Sequence, residues 1–203
     1  MNLHQHLSAE HQPSFDAVVI GASAGGLAAL TEVIGGLPAD FPAAVLVVQH
    51  LAKNFKSLLS EILSRSSALK IKEAVDGELI EAGTVYIAAP DRHLLVTAER
   101  KICLSSSPAV AFLRPSIDLL FESASEVYKQ RLVSVILTGS GHDGSKGVQA
   151  VSKHGGRVIV QSEETAQFRA MPNSAIQTGE VNWILPVGKI ASFLVQLLRE
   201  ETR

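Results

Sequence analysis

Short apolar runs alternate with amphipathic stretches along most of the chain. In AVVIGASAGG, residues 17–26, Ala17–Ile20 is uninterrupted and apolar, the pattern of a strand buried on both faces of a parallel sheet. Leu27, Leu30, Ile34 and Leu37 then recur at helical spacing, so the first strand is expected to lead directly into a helix. AAVLVVQH repeats the arrangement: a β-rich run ends at His50, and Phe55, Leu58, Leu59, Ile62 and Leu63 fall on one helical face. Between Lys70 and Leu104 the runs shorten to TVYIAAP, HLLVTA and KICLS, too close together for crossover helices, which predicts an antiparallel insertion or sheet edge. Helical spacing returns with Ile117, Leu120, Phe121, Ala124 and Val127, behind a Pro115 suited to a first turn. RLVSVILTG, the glycine-rich GSGHDGSKG, a short helix and GRVIVQ make another βαβ unit. A last helix aligns Ile190, Phe193, Leu194, Leu197 and Leu198. The sum is a doubly wound α/β fold: a mostly parallel sheet, helices on both faces and a short antiparallel section.

Composition narrows this picture. With 203 residues, 46% of them hydrophobic, the chain suits one domain, expected over residues 16–203 behind a flexible polar tail at 1–15. Its 18 basic and 20 acidic residues nearly cancel and no basic run occurs, which argues against nucleic acid as a partner. Cys103 is the only cysteine, so no disulfide forms within the chain, and no apolar run is long enough to span a bilayer. The N-terminus lacks the pattern of a secretory signal, and a cytoplasmic location is expected. His4, His6 and His11 could bind a metal, but a disordered tail is the better reading and no metal site is assigned.

In an open parallel sheet, ligands bind beyond the C-terminal strand ends. Ser23, His50 and Asp143 each follow an apolar run within a few residues, and together they supply a nucleophile, a base and an orienting carboxylate. GASAG also matches the G-x-S-x-G elbow, in which small neighbours leave a hydroxyl free beside backbone N–H groups. Singly, each feature has a plainer role: a phosphate cradle, a structural histidine, a helix cap. The order Ser, His, acid sets aside the standard α/β-hydrolase arrangement. A competing reading takes Gly139–Gly144 as a G-x-G-x-x-G dinucleotide-binding turn with Glu163 about 20 residues on, although Asp143 would then repel the pyrophosphate.

VIGASAGG, VVQH, IAAPDRHL, LRPSIDLLF, ILTGSGHDGSKG and VIVQSEETAQFRAMPNSAI stand in the order of similar segments in the CheB-type chemotaxis protein-glutamate methylesterases, which the chain resembles from residue 17 to about 200. The resemblance implies a serine hydrolase without cofactor that removes methyl esters from glutamyl side chains of a chemoreceptor or related signalling protein, and can deamidate glutamines there. It implies Ser23 as nucleophile, His50 as base and Asp143 as orienting acid, with backbone N–H groups of Ala24 and Ser140 as the oxyanion hole. Met171 and His93 become candidate substrate contacts, with a structural role the alternative for His93. Ala24, Ser140, Ala52–Lys53 and Ala170 stand where the family often has Thr, Met, Pro and Gly. Too little chain precedes the first strand for a receiver domain, so a stand-alone catalytic domain with an open crevice is expected. An inactive interaction domain of the same fold is a third reading. Oligomeric state is not legible.

Overall fold

The computed structural model describes residues 15–50 and 58–200. Seven strands form one sheet: β1 (Ala17–Ala22), β2 (Ala44–Gln49), β3 (Lys70–Glu73), β4 (Thr84–Ile87), β7 (Leu132–Ile136), β8 (Arg157–Gln161) and β9 (Trp183–Leu185). Their order is β3-β4-β2-β1-β7-β8-β9 and every pairing is parallel. A separate antiparallel pair consists of β5 (His93–Val96) and β6 (Ile102–Ser105).

Alternation along β1 explains the layering. Val18, Ile20 and Ala22 point into one core, where α1 (Gly26–Gly35), α2 (Leu59–Ser64) and α6 (Val187–Glu200) pack; Ala17 and Val19 point into the other. That second core is closed by α3 (Ile117–Tyr128), α4 (Ser145–Lys153), α5 (Ala170–Ile176) and the β5–β6 pair. Phe15 is buried in the first core, and Asp16 pairs with Arg131 at 2.9 Å. His4, His6, His11 and Phe55 lie outside the described residues. Among those described, no helix is long and apolar enough to cross a membrane.

Three expectations need correction. TVYI is no antiparallel segment: it is β4, paired in parallel between β2 and β3, and only β5 and β6 run antiparallel. Leu27 and Leu58 do not face the core; they are 44% and 50% exposed, and α1 buries Ala29, Leu30, Val33 and Ile34 instead. Pro115, joined to Arg114 by a cis peptide, precedes the N-cap Ser116 and so lies outside the first turn of α3.

The chain leaves β1 toward β2 on one side and returns to β7 on the other. The sheet's switch point therefore lies at β1, where a crevice opens beyond the C-terminal strand ends.

Candidate active site

Ser23 is the first residue past β1. The turn after it closes through Gly25, whose φ of +75° an L side chain rarely adopts, and α1 starts at Gly26. A Cβ on Gly26 would stand 2.0 Å from Gln49 Oε1, so glycine lets the turn lie against the end of β2. Gln49 Nε2 donates to the carbonyls of Ser23 and His50, 2.8 Å each, and His50 N donates to Ala22 O at 3.0 Å. β1 and β2 are in register with Ala22 opposite Gln49, so Ser23 and His50 are the residues that follow the last pair on each strand. Among the described residues no hydrogen bond reaches Ser23 Oγ.

The turn beyond β7 is fastened to the same place. Ser23 N donates to Thr138 O at 3.1 Å, and Thr138 Oγ1 donates to Ala24 O at 3.1 Å. A Cβ on Gly139 would lie 2.8 Å from Ser23 Cβ and 2.5 Å from Met171 Sδ. The first GSG glycine is thus required by close packing of the two turns. Among the described residues, the N–H groups of Ala24 and Ser140 have no backbone or side-chain acceptor, leaving both donors available at the crevice.

His50 Nε2 and Asp143 Oδ2 are 2.9 Å apart, with side chains only 10% and 5% exposed. The carboxylate accepts three more hydrogen bonds: from Ser116 Oγ at 3.1 Å, Ile117 N at 2.7 Å and Asp118 N at 3.1 Å. Burial alone would push the Asp143 carboxyl up. The hydrogen bonds from His50, Ile117 and Asp118 outweigh it and hold the group below the usual carboxylate range. A carboxylate can only accept, so Nε2 carries the proton and Nδ1 is left as the ring's acceptor.

Asp143 does not cap α4, the helix that follows it. It sits at the N-terminus of α3, while Asp118 from that terminus accepts from Gly144 N at 2.9 Å and Gly147 N at 2.8 Å at the start of α4. Two helix starts therefore exchange carboxylates, each satisfying donors that its own helix leaves open. Sequence reasoning missed Asp118 and Ser116. The signal available was SID at the head of an amphipathic helix, but its partner lies 25 residues away.

His93 is fully buried: Nδ1 accepts from Ser116 N and Nε2 faces Pro108 O, each at 3.2 Å. It pins both ends of the 108–116 segment. Met171 is likewise buried, packed behind Gly139. A cleft of about 480 Å³ continues from Asp143 and Ser140 between the turn at 110–113 and the start of α4 at Lys146. Among the described residues no cluster of three or more His, Cys, Asp or Glu side chains could hold a metal ion.

A family model described as CheB methylesterase matches residues 18–194. The crystal structure of the Thermotoga maritima CheB methylesterase catalytic domain is similar with a TM-score of 0.88 and 40% identity, covering 91% of this chain and 100% of that one. A Leptospira interrogans protein, provisionally named protein-glutamate methylesterase/protein-glutamine glutaminase, is 40% identical over 184 residues, 91% of this chain and 95% of the relative. The protein-glutamate methylesterase/protein-glutamine glutaminase of Clostridium acetobutylicum is 40% identical over 186 residues, 92% of this chain and 54% of the relative, so the chain spans about half of that protein.

Proposed function

This chain belongs to the CheB methylesterase family, and from that premise we propose that it is a serine hydrolase of glutamyl methyl esters, acting on a methylated chemoreceptor or related signalling protein through Ser23, His50 and Asp143. Ser23 Oγ attacks the ester carbonyl while His50 Nδ1 takes its proton. The tetrahedral oxyanion lies against the free N–H groups of Ala24 and Ser140. Collapse expels methanol, which leaves with the proton His50 holds. Water, deprotonated in turn by His50, attacks the acyl-serine and releases glutamate and the Ser23 hydroxyl. Asp143 keeps the imidazole in the tautomer that leaves Nδ1 as base and faces the imidazolium as it forms. No cofactor enters the scheme.

The observation that carries this reading is the His50–Asp143 bond. Its carboxylate is fixed by three further donors at the edge where Ser23 emerges. A glutamine carboxamide can follow the same route with ammonia as leaving group, in line with the second activity in the relatives' names. The dinucleotide-binding reading fits less well. Asp118 already occupies the Gly144 and Gly147 N–H groups that a pyrophosphate would need.

A fluorophosphonate probe tests the proposal. Mass mapping of the labelled protein is expected to place the adduct on Ser23, with labelling lost in His50→Ala. No adduct, or an adduct on another serine, contradicts it and favours an inactive domain of the same fold.

A further inference from the structure

Phe112 is 91% exposed, the most exposed large apolar side chain among the described residues. It stands at the tip of a tight hairpin turn: Val110 and Leu113 exchange backbone hydrogen bonds of 3.0 and 2.8 Å, and Ala111 and Phe112 between them have φ of +46° and +68°. Turns with two positive-φ residues are the province of Gly, Asn and Asp, so placing Ala and Phe there costs folding free energy. Strain of this kind persists where a surrounding framework enforces it, and it clusters at ligand clamps.

That framework is present. Arg114 donates to Asp91 Oδ1 at 2.9 Å and to the carbonyls of Ser106 and Ser107 at 3.2 and 3.1 Å. His93 holds Pro108 and Ser116 at the two ends of the segment. Ser116 in turn donates to Asp143, so the platform under Phe112 is continuous with the proposed triad. The other three turn residues, Val110, Ala111 and Leu113, line the cleft that reaches Ser140 and Asp143.

We propose that the Phe112 turn is a docking element for the ester-bearing segment of the protein substrate, contacting an apolar side chain beside the glutamyl ester. The inference rests on the esterase reading above. A glutamyl side chain reaches only about 4 Å from Cα to its ester carbon, given bonds of ~1.5 Å. The backbone of a protein substrate must therefore lie over the mouth of the crevice, and its neighbouring side chains enter the adjoining cleft. Val110, Ala111 and Leu113 make one wall of that cleft apolar, and Phe112, exposed beside them, offers rigid aromatic contact area at little cost in conformational entropy. A protein segment with an apolar side chain adjoining the ester matches the wall. A free amino-acid ester has nothing to place there.

Two substrates separate the possibilities: glutamate γ-methyl ester alone, and a 20-residue amphipathic helical peptide with one glutamyl γ-methyl ester flanked by leucines at i−4 and i+3. Methanol release by the wild-type protein is compared with that of Phe112→Ala, with circular dichroism to verify folding, which truncation of so exposed a side chain leaves intact. The expected result is a fall of about tenfold or more in kcat/KM for the peptide, mostly in KM, with the small ester changed less than twofold. Equal effects on both substrates, or no effect on the peptide, overturn the docking role while the esterase reading stands. Failure of the wild-type protein to release methanol from either overturns the esterase reading, and the docking role with it.

Discussion

Asp118 and Asp143 each sit on the other's helix, and their environments push them in opposite directions. Burial drives Asp118 up to about 6 against the hydrogen bonds from Gly147 and Gly144, and the Asp143 charge adds to the push. A carboxyl raised on folding stabilises the fold below its unfolded value near 4, and that contribution is lost as pH rises toward 6. Asp143, held low, contributes above about 4 and loses its contribution as pH falls through its lower folded value. Asp118→Asn retains an oxygen to accept from Gly144 and Gly147 and removes only the titration. Urea midpoints are therefore expected to move in the variant's favour between pH 4 and pH 7, and a difference independent of pH contradicts this assignment. The three candidate site residues stood out in the sequence because each ends an apolar run in a polar or glycine-rich turn. Their fastenings did not, since Ser116, Asp118 and His93 act across 23 to 29 positions.

Elements with a clear period stand near where they were expected, with Leu27 and Leu58 turned outward, and those that break the period were not recognised. β3, Lys70–Glu73, is an edge strand with both termini exposed, so KIKE carries no apolar run. Without that strand, β4 lost one of its two parallel neighbours, and short spacing then suggested an antiparallel insertion or sheet edge. A parallel connection without a helix is made instead by residues 74–83, held by the Leu79–Lys101 bridge of the β5–β6 region. The packing of α3 on α4 was equally hidden. A Cβ on Gly147 would stand 2.6 Å from Phe121 Cβ and 3.2 Å from Asp118 Cα, so the two helices meet where one has no side chain. Gly147→Ala sets a helix-propensity gain of about 1 kcal/mol against an overpacking cost of about 1–3 kcal/mol. A net loss is expected, read as a lower midpoint in chemical denaturation. A gain would show that α3 can move away freely.

At the scale of the whole molecule, the fold brings three chain segments to one sheet edge. β1, β2 and β7 are neighbours, and the turns after them carry Ser23, His50 and Asp143. Backbone and Gln49 hydrogen bonds set the first turn against the other two, while α3 and the 108–116 segment hold the carboxylate from behind. The architecture was legible because buried parallel strands are continuous apolar runs; the wall of the cleft was not, because a strained surface turn has no apolar period. The most direct test of the central claim is methanol release from a glutamyl γ-methyl ester peptide at pH 7 by the wild-type protein and by Ser23→Ala. If Ser23 is the nucleophile, turnover falls by a factor on the order of 10⁴ while the variant folds normally. Turnover within tenfold of wild type would remove Ser23 from the mechanism.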